Sequence, residues 1–457
     1  MNLNLRPNSD EARDIAYHFH GYTNARVHEE NGPLIIDRGD GVYVFDNNGN
    51  RYMEGMAGLW SVGVGFNEKR LADAAHAQMQ KLPFYHTFSH RSHGPAIDLA
   101  EKLIDIAPFP MSKVFFTNSG SEANDTILKM VWYRSNALGK PKKKKVISRL
   151  RGYHGVTIAS ASMTGLPYNH KSFDLPIDGI LHTTCPHYWR EGRDGESEDA
   201  FATRCADDLD AMIQAEGPDT VAAFIAEPVM GAGGVVVPPA TYWEKIQAVL
   251  SKYDILLIAD EVICGFGRTG KMFGSTTYRI RPDVLTMSKQ ITSSYFPFSA
   301  FMVNDRVYEP IADESNRIGV LGHGYTGGGH PVGAAVALEN LKIIEERDLV
   351  GNAAARGAEL QAGLAGFLDH PLVGEARGVG LIGALELTPP QGMEEQFSPG
   401  KIGAHMSKTM LANGLVSRNM MDAMAFCPPM IITSKEMAEM MSIMERSLAQ
   451  VSKELGV

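Results

Sequence analysis

Cysteine is scarce in this chain of 457 residues, and its four cysteines form no CxxC pair and no spacing typical of disulfides. This argues against a disulfide framework, and a reducing cytoplasm is the expected location. Long hydrophobic runs are missing as well: no stretch reaches 18 apolar residues, and the N-terminal stretch has no apolar segment of signal type. We expect neither a membrane span nor export by such a signal.

Basic residues are outnumbered by acidic ones, 43 to 53, which gives a formal net charge of −10 at pH 7. This balance argues against a nucleic-acid or anionic-membrane partner. The run Lys142–Lys145 is the one basic cluster. Because no aromatic residue accompanies it, we interpret it as a solvated loop that leads into a strand. Internal repeats and low-complexity tracts are also missing.

The length and an apolar share of 44% are sufficient for a large core and for two domains. Helical stretches such as 239–252 separate a series of buried-strand patterns, at 113–117, 145–150, 221–226, 254–260 and 283–287. This alternation predicts an α/β fold with a largely parallel sheet covered by helices on both faces.

Lys289 ends one of these strand patterns and is surrounded by small polar residues. Burial makes a lysine lose its charge more easily, and a neutral amine can form a Schiff base. Taken alone, such a residue is more often a surface lysine. Asp260, which ends another strand pattern upstream, reverses that preference. An acid and a lysine that both end buried strands are the pair that pyridoxal phosphate (PLP) chemistry requires.

Polar or aromatic side chains follow five of the strand patterns: Ser121, Tyr153, Glu227, Asp260 and Lys289. In open α/β sheets, ligands bind outside the carboxyl ends of the strands, so we expect these side chains to share one site.

A helix start follows the strand at 113–117. The free N–H groups of a helix start can bind a phosphate, Gly120 permits close approach of the backbone, and Ser121 adds a hydroxyl. A helix capped by Ser119 or Ser121 without any ligand is the alternative explanation.

These residues also carry a resemblance to a known family. Over most of the chain, the motifs Ile258–Val262, Gly265–Gly270, Ser288–Gln290 and Gly324–Thr326 closely resemble those of the class III aminotransferases, the PLP-dependent family that includes the omega-transaminases. The resemblance implies a fold-type-I PLP transferase. Its large, mostly parallel-sheet domain is expected at 61–331 and a smaller α+β domain at 332–457, completed by an N-terminal arm at 1–60.

The activity implied by the resemblance is transamination from a primary amine or omega-amino compound to a keto acid such as pyruvate, with pyridoxamine phosphate (PMP) as the second cofactor form. A PLP-dependent decarboxylase or aminomutase is the main alternative. Gly265–Gly270 also fits G-x-G-x-x-G, so a nicotinamide-dependent oxidoreductase is a remote alternative. Asp260 and Glu261 speak against it, because they place acid where a pyrophosphate would approach. No metal ion is expected.

The resemblance implies that Lys289 carries the cofactor and moves protons, while Asp260 keeps the ring nitrogen protonated. The further cofactor-binding residues that it implies are Ser119, Gly120, Ser121, Tyr153, His154, Glu227, Val262 and Thr326. For His154, a structural donor role is an equal alternative. Thr326 is expected to reach the phosphate in the neighbouring subunit, which would make a homodimer necessary for activity.

The substrate site implied by the resemblance is lined by Leu59, Trp60, Phe88, Tyr153, Ala232, Arg418 and, from the partner chain, Tyr325. On the bare sequence, Trp60 fits a packed loop as well as a pocket wall. Ala232 is small where relatives often carry a β-branched residue, so we expect it to leave room for large apolar amines. The glycines at 327–329, where relatives are often bulkier, indicate extra backbone freedom near the phosphate.

Arg418 matches a mobile arginine that the family uses to pair the carboxylate of the keto acid. A buried carboxylate without a partner costs several kcal/mol, so this cation should swing in for the acid and out for an apolar amine. A surface ion pair with Asp422 is the alternative. Met421 stands where relatives usually have glycine, and the bulkier loop is expected to hinder the swing.

Overall fold

The computed structural model describes residues 6–390 and 392–456. Residues 1–5 of the predicted arm and residues 391 and 457 of the predicted small domain therefore lie outside the described residues. The strands are β1 Ile36–Asp40, β2 Tyr43–Asp46, β3 Arg51–Glu54, β4 Lys113–Thr117, β5 Lys145–Arg149, β6 Ile180–Thr183, β7 Val221–Ala226, β8 Leu256–Asp260, β9 Val284–Met287, β10 Ser299–Val303, β11 Val373–Val379, β12 Ile382–Leu387, β13 Leu415–Val416, β14 Arg418–Met420 and β15 Ala423–Phe426.

Helices connect most of these strands. They are α1 Asp10–Tyr17, α2 Ala25–Asn31, α3 Ala57–Trp60, α4 Lys69–Lys81, α5 Gly94–Asp105, α6 Gly120–Ala137, α7 Ile158–Met163, α8 Tyr188–Glu191, α9 Glu198–Glu216, α10 Tyr242–Lys252, α11 Gly274–Tyr278, α12 Asp305–Ile318, α13 Pro331–Glu346, α14 Leu349–Ala365, α15 Lys401–Ala412 and α16 Ser434–Leu455.

A seven-stranded sheet with the order β4-β10-β9-β8-β7-β5-β6 forms the centre of the fold. Neighbouring strands from β9 to β6 are parallel, whereas β10 is antiparallel to both β4 and β9. Because β10 reverses direction between them, β4 points the same way as the parallel strands. The α/β class with a mostly parallel sheet is therefore confirmed.

The central strands are apolar throughout because helices cover both faces of the sheet. Every residue of β7 is buried. Leu209 of α9 and Ile246 of α10 belong to the hydrophobic cluster on one face, while Ile127 of α6 and Val307 of α12 belong to the cluster on the other. A strand covered on both sides gains from apolar residues at every position, which explains the uninterrupted apolar runs in the sequence.

Two four-stranded sheets flank the central sheet in sequence. One has the order β1-β2-β3-β13, in which the C-terminal strand β13 pairs in parallel with β3 of the arm; the other has the order β11-β12-β15-β14. The arm thus shares a sheet with the C-terminal part of the chain. The boundaries at residues 60 and 331 stay predictions.

The basic run at 142–145 differs from the prediction of a solvated loop. Lys143 is only 6% exposed, and its Nζ donates to the carbonyl oxygens of Tyr253 and Asp254 at 3.2 and 3.0 Å. These carbonyls follow the end of α10, where backbone acceptors are free and attract a cation. The sequence reveals the charge of this run but not the helix end that receives it.

Among the described helices, none combines the length and the apolar character needed to cross a membrane.

Candidate active site

The carboxyl ends of β4, β5, β7, β8 and β9 meet at one edge of the central sheet. A predicted site residue ends each of these strands or follows it within a few residues. This common edge is the place where parallel α/β sheets bind ligands.

Asp260, the last residue of β8, lies at the centre of a buried polar network. Its Oδ2 accepts from Asn124 Nδ2 at 2.9 Å and lies 2.8 Å from His154 Nδ1, while its Oδ1 accepts from the Val262 N–H at 3.1 Å. Asn124 in turn accepts from the Thr286 hydroxyl at 3.0 Å. A carboxylate oxygen can accept more than one proton, so Oδ1 retains capacity for a ligand N–H.

Lys289 follows β9 and begins a short 3₁₀ turn that ends at Ile291. Its φ of +46° is the left-handed conformation that a lysine rarely adopts. Burial lowers the pKa of its amine, while the negative charges of Asp260 and Glu227 pull in the opposite direction. The turn after β9 thus holds a partly exposed lysine whose amine is affected by burial and by the charges of two acids.

Glu227, which follows β7, holds two neighbouring loops. Its Oε1 accepts from the Tyr153 N–H and its Oε2 from the Gly231 N–H, both at 3.0 Å. Burial raises the pKa of this carboxyl group. Through these two bonds Glu227 fixes the loop that carries Tyr153 and the loop that carries Ala232.

The start of α6 has the form of an anion site. Ser119 caps the helix by accepting from the Glu122 N–H at 3.2 Å, and Ser121 Oγ accepts from the Val156 N–H at 3.1 Å. Each hydroxyl therefore keeps its own proton to donate. A Cβ at Gly120 would lie 3.2 Å from Val262 Cγ2, so a larger residue would require the Val262 side chain to shift. Capping and anion binding are thus compatible here.

His154 has a contact that the sequence did not reveal. Its Nδ1 is paired with Asp260, whereas its buried Nε2 has no hydrogen-bond partner among the described residues. One nitrogen thus supports Asp260, as the structural alternative requires. The other is buried and unpaired, which marks a position where a ligand group can complete the network.

The segment that contains Tyr325 and Thr326 packs against its own chain. Tyr325 Oη lies 3.1 Å from Thr126 Oγ1 and 3.3 Å from the carbonyl oxygen of Glu122 on α6, and Thr326 is exposed. A Cβ at position 327 would meet Asn118 Oδ1 at 2.7 Å, and one at 328 would meet the Phe116 oxygen at 2.8 Å. The glycines there allow close packing rather than extra freedom.

The predicted substrate residues occupy different environments. Trp60 is 1% exposed and packs in a hydrophobic cluster with Val229 and Met420, whereas Leu59 is 54% exposed. Phe88 is 41% exposed and so close to Gly324 that a Cβ there would lie 2.6 Å from its ring. Phe88 thus packs with the segment expected to serve the partner subunit.

The sequence analysis did not identify two tyrosines of this region, Tyr22 and Tyr168. Tyr22 of the arm accepts a hydrogen bond from Asn169 Nδ2 at 2.6 Å, and its ring meets that of Tyr168 edge-on at a centroid distance of 6.3 Å. Burial is the main cause that raises the pKa of the Tyr153 hydroxyl, and the neighbouring Tyr22 raises it further. The positive charge of Arg418 acts in the opposite direction. No local motif surrounds Tyr22, so only the fold brings the arm to this position.

Arg418 begins β14 and lies within electrostatic range of the site. Burial is the main cause that lowers the pKa of Lys289, and the positive charge of Arg418 lowers it further. The same charge opposes the rise in the pKa of Tyr168. Asp422, the alternative partner, instead accepts from the Gly400 and Gly403 N–H groups at the start of α15, at 2.6 and 2.9 Å. In the part of the chain that the structure describes, Arg418 forms no ion pair.

Met421 has a φ of +55° and is 57% exposed. This left-handed conformation favours glycine, which agrees with the glycine that the family resemblance led us to expect at this position. The Met421 side chain points to solvent, so the bulk that was expected to hinder Arg418 is at least partly outside the site.

The glycine-rich motif at 265–270 has a structural role. Arg268 in its middle is completely buried and donates through Nη1 to the carbonyl oxygen of Pro428. The next helix, α11, begins only at Gly274 and has five residues. A dinucleotide-binding motif must open a helix directly, so the nicotinamide alternative fails on this geometry.

The residues at the sheet edge fit PLP. Ser119, Gly120 and Ser121 would hold its phosphate, Asp260 its ring nitrogen and Lys289 its carbonyl carbon, since a helix start, a carboxylate with spare acceptor capacity and a desolvated amine suit these three groups.

Comparisons with known proteins agree with this arrangement. A family model described as aminotransferase class-III matches residues 24–448. Gamma aminobutyrate transaminase 1, mitochondrial, of Solanum lycopersicum is 49% identical over 92% of this chain and 82% of its own length. Gamma aminobutyrate transaminase 3, chloroplastic, of the same organism is also 49% identical, over 89% of this chain and 79% of its own length.

Among solved structures, the omega transaminase of Pseudomonas jessenii in complex with PMP is 58% identical, with a TM-score of 0.97 over 98% of this chain and 99% of that one. A variant of a thermostable form of that enzyme, substituted at a tryptophan, a phenylalanine and an arginine, is engineered for asymmetric synthesis of enantiopure bulky amines. A transaminase solved with L-alanine is 65% identical, with a TM-score of 0.91 over 92% of this chain and 100% of that one.

The prediction of a cytoplasmic location is wrong: the two Solanum lycopersicum relatives are named mitochondrial and chloroplastic. All four cysteines are free and buried. Unpaired cysteines indicate a reducing environment, but they do not identify the compartment that provides it.

Proposed function

Since this chain belongs to the class-III aminotransferases, we propose that its amino donor is a primary amine or omega-amino compound and its acceptor a keto acid such as pyruvate. Its activity as a PLP-dependent transaminase follows from the family. The observation that carries the proposal is that Asp260, which is buried, and Lys289 follow neighbouring parallel strands to one sheet edge, where the charges of Asp260 and Arg418 both affect the pKa of the Lys289 amine.

When bound, PLP supplies an electron sink for the electron pair released at the substrate carbon. Lys289 Nζ moves the proton to and from that carbon, and its desolvation favours the neutral form that can accept a proton. Asp260 holds the proton on the ring nitrogen, and His154 and Asn124 orient the Asp260 carboxylate. Ser119 and Ser121 bind the phosphate through hydroxyl protons and the helix start.

An amine donor with a large apolar group is supported by the residues around the site. The side chains of Tyr153 and Phe88 are partly exposed and offer apolar surface, whereas Trp60 packs in a hydrophobic cluster. The engineered relative carries a substituted tryptophan and phenylalanine that lie as far apart in sequence as Trp60 and Phe88, and its purpose is the synthesis of bulky amines. We therefore assign both positions to the substrate pocket, Phe88 by its exposed ring and by the likeness to this relative, and Trp60 by that likeness alone.

Pyruvate as acceptor is supported by two observations. A 65% identical transaminase is solved with L-alanine, the amine into which pyruvate is converted. Arg418 provides a cation for the keto-acid carboxylate, and the guanidinium fork matches a carboxylate well. The relatives named for gamma-aminobutyrate support an omega-amino acid as a further donor.

Activity is proposed to require a homodimer in which Tyr325 and Thr326 of one subunit reach the site of the other. Thr326 is exposed in the single chain, and Phe88 packs against the same segment. A subunit interface over this segment would place Phe88 beside Tyr325 at the partner's substrate pocket.

Replacing Arg418 with alanine tests the assignment of donor and acceptor. We expect the half-reaction with pyruvate to weaken by about 2–4 kcal/mol, because the keto-acid carboxylate loses its buried partner. The half-reaction with an aryl-alkyl amine should stay nearly unchanged. Stopped-flow measurement of the two half-reactions separately gives both values, and Arg317→Ala, an exposed arginine on α12, is the matched control.

A parallel fall in both half-reactions, or no fall with pyruvate, would remove Arg418 from acceptor binding. Running the same pair of measurements with gamma-aminobutyrate as donor separates the two donor classes. If this omega-amino acid depends on Arg418 as strongly as pyruvate does, the same cation serves both carboxylates.

Replacing Ala232 with valine tests the shape of the pocket. The loop is fixed by Glu227 through the Gly231 N–H and by Arg377 Nε through the Gly234 oxygen at 3.0 Å, so it cannot move to absorb a larger side chain. We expect kcat/KM for a bulky aryl-alkyl amine to fall about tenfold or more, while a small amine changes by about twofold at most. Ala362→Val on the exposed side of α14 is the control. Equal effects on both amines would place Ala232 outside the pocket.

A further inference from the structure

Three histidines surround a single carboxylate in the N-terminal arm. Asp14 Oδ1 lies 3.1 Å from His18 Nδ1, and Asp14 Oδ2 lies 2.8 Å from His20 Nε2 and 3.0 Å from His28 Nε2. Asp14 belongs to α1, His18 and His20 follow that helix, and His28 belongs to α2. The turn between the two short helices therefore brings four potential metal ligands together.

The chemistry of this set fits a divalent transition metal. Imidazole nitrogens with one carboxylate oxygen are ligands that Zn²⁺ prefers, usually four in a tetrahedron. Ligand atoms of Asp14, His18 and His20 lie within 4.8 Å of one another. With metal–ligand bonds of about 2.0–2.2 Å, the ligand atoms of a tetrahedral site lie about 3.3 Å apart. The distances of 2.8–3.1 Å from Asp14 to the histidines would each have to lengthen by a few tenths of an ångström, and His28 Nε2, which lies outside that group of three, would have to move closer to the other histidines.

The imidazole rings of the cluster are packed side by side. The rings of His18 and His20 have centroids 4.1 Å apart, and those of His20 and His28 are 4.4 Å apart. Because all three rings also contact Asp14, a metal ion bound to this carboxylate would lie beside each of them.

Burial provides both a protected centre and an entry path. The side chains of Asp14 and His28 are 15% and 12% exposed, and that of His20 is 28% exposed, whereas that of His18 is 65% exposed. An ion can therefore enter from the His18 side and become enclosed by the other three ligands.

A second group of potential ligands, His187 with Glu375 and Glu386, is different. Arg377 forms ion pairs with both of these glutamates, and Arg190 pairs with Glu386 as well. Cationic side chains already neutralise that group, so we assign no metal to it.

We propose that Asp14, His18, His20 and His28 form a binding site for Zn²⁺ or a divalent metal of the same ligand preference. The sequence analysis expected no metal ion at any position. The proposed ligands come from the segments before and after Tyr22. Asn169 donates a hydrogen bond to the Tyr22 hydroxyl beside the active site. Metal binding would thus fix the arm where it approaches Tyr153. This proposal is independent of the choice of donor and acceptor.

Calorimetric titration of the PLP-loaded enzyme with Zn²⁺, after dialysis against a chelator, tests the site. We expect one Zn²⁺ per chain, an increase in Tm on binding, and no comparable binding of Mg²⁺, which prefers oxygen ligands. The double variant His20→Ala/His28→Ala should lose this stoichiometric binding. His76→Ala, which removes an exposed histidine on α4, should bind Zn²⁺ as the wild type does.

The single variant His28→Ala keeps the other three ligands and provides the test if the double variant does not fold. Its Zn²⁺ affinity should fall by more than the roughly 10- to 100-fold that the loss of an outer-shell partner causes. X-ray absorption of the Zn²⁺-loaded wild type should show nitrogen and oxygen neighbours at about 2.0–2.1 Å. Absence of one-per-chain binding in the wild type, or unchanged affinity in His28→Ala, would overturn the proposal.

Discussion

Replacing Lys289 with alanine should give a folded protein with almost no turnover. In the proposed function, Lys289 is both the amine that carries the cofactor and the base that moves the substrate proton, so both functions should disappear together. A positioned acid–base group contributes roughly 10²–10⁴ in rate, and the covalent function adds to this, so we expect a loss of about 10⁴-fold or more.

The fold should survive because the Lys289 amine is a desolvated charge rather than a packing element. Burial lowers its pKa, which means that the protein stabilises the charged amine less than water does. Removing such a group relieves a desolvation penalty, and alanine fits the space. A Tm within a few degrees of the wild type is expected. The exposed Lys271→Ala is the matched control and should keep full activity.

Single-turnover measurements of both half-reactions, alongside Tm, check this prediction. Turnover of Lys289→Ala at the wild-type level would contradict the assignment of the catalytic lysine. Loss of both activity and the folding transition would indicate a structural role instead.

Asp260→Asn is expected to bind PLP and yet deprotonate amines slowly. The substitution keeps the shape of the side chain but removes the negative charge that we propose holds the proton on the ring nitrogen. Removing one partner of a buried charge pair costs about 2–5 kcal/mol, which corresponds to roughly 30- to 5,000-fold in rate.

Hydrogen bonding adds to this effect. Asp260 accepts from the Asn124 amide on one oxygen and from the Val262 N–H on the other. An asparagine at 260 has a single acceptor oxygen, so one of these donors would face its NH₂ group instead. Stopped-flow measurement of the amine half-reaction, with absorbance as the measure of bound PLP, separates cofactor binding from rate. Asp219→Asn on the surface is the control. An unimpaired amine half-reaction would show that Asp260 does not support the electron sink.

Much of the central sheet could be predicted because its strands are covered on both faces. The predicted strands at 113–117 and 221–226 agree with the structure residue for residue. The polar residues after them stand out because they end uninterrupted apolar runs, and parallel strands bring these ends together. The family resemblance then supplied the roles of Asp260 and Lys289.

Contacts between distant elements could not be predicted. Asn124 lies in the interior of α6 and reads as an ordinary polar helix residue, yet it joins Asp260 to Thr286. Tyr22 reaches the site only because the arm folds back over it. Trp60 proved to be packed within the protein, since no local pattern reveals which side of a glycine-rich loop faces the core.

The most direct test of the central claim is the visible spectrum of the PLP-loaded enzyme during one complete cycle. Adding an aryl-alkyl amine alone should change the spectrum once and then stop, because the amino group stays on the cofactor. Adding pyruvate afterwards should restore the original spectrum and release one alanine per chain. An amine-induced change that pyruvate does not reverse, or that continues without any acceptor, would contradict transamination at the site formed by Lys289 and Asp260.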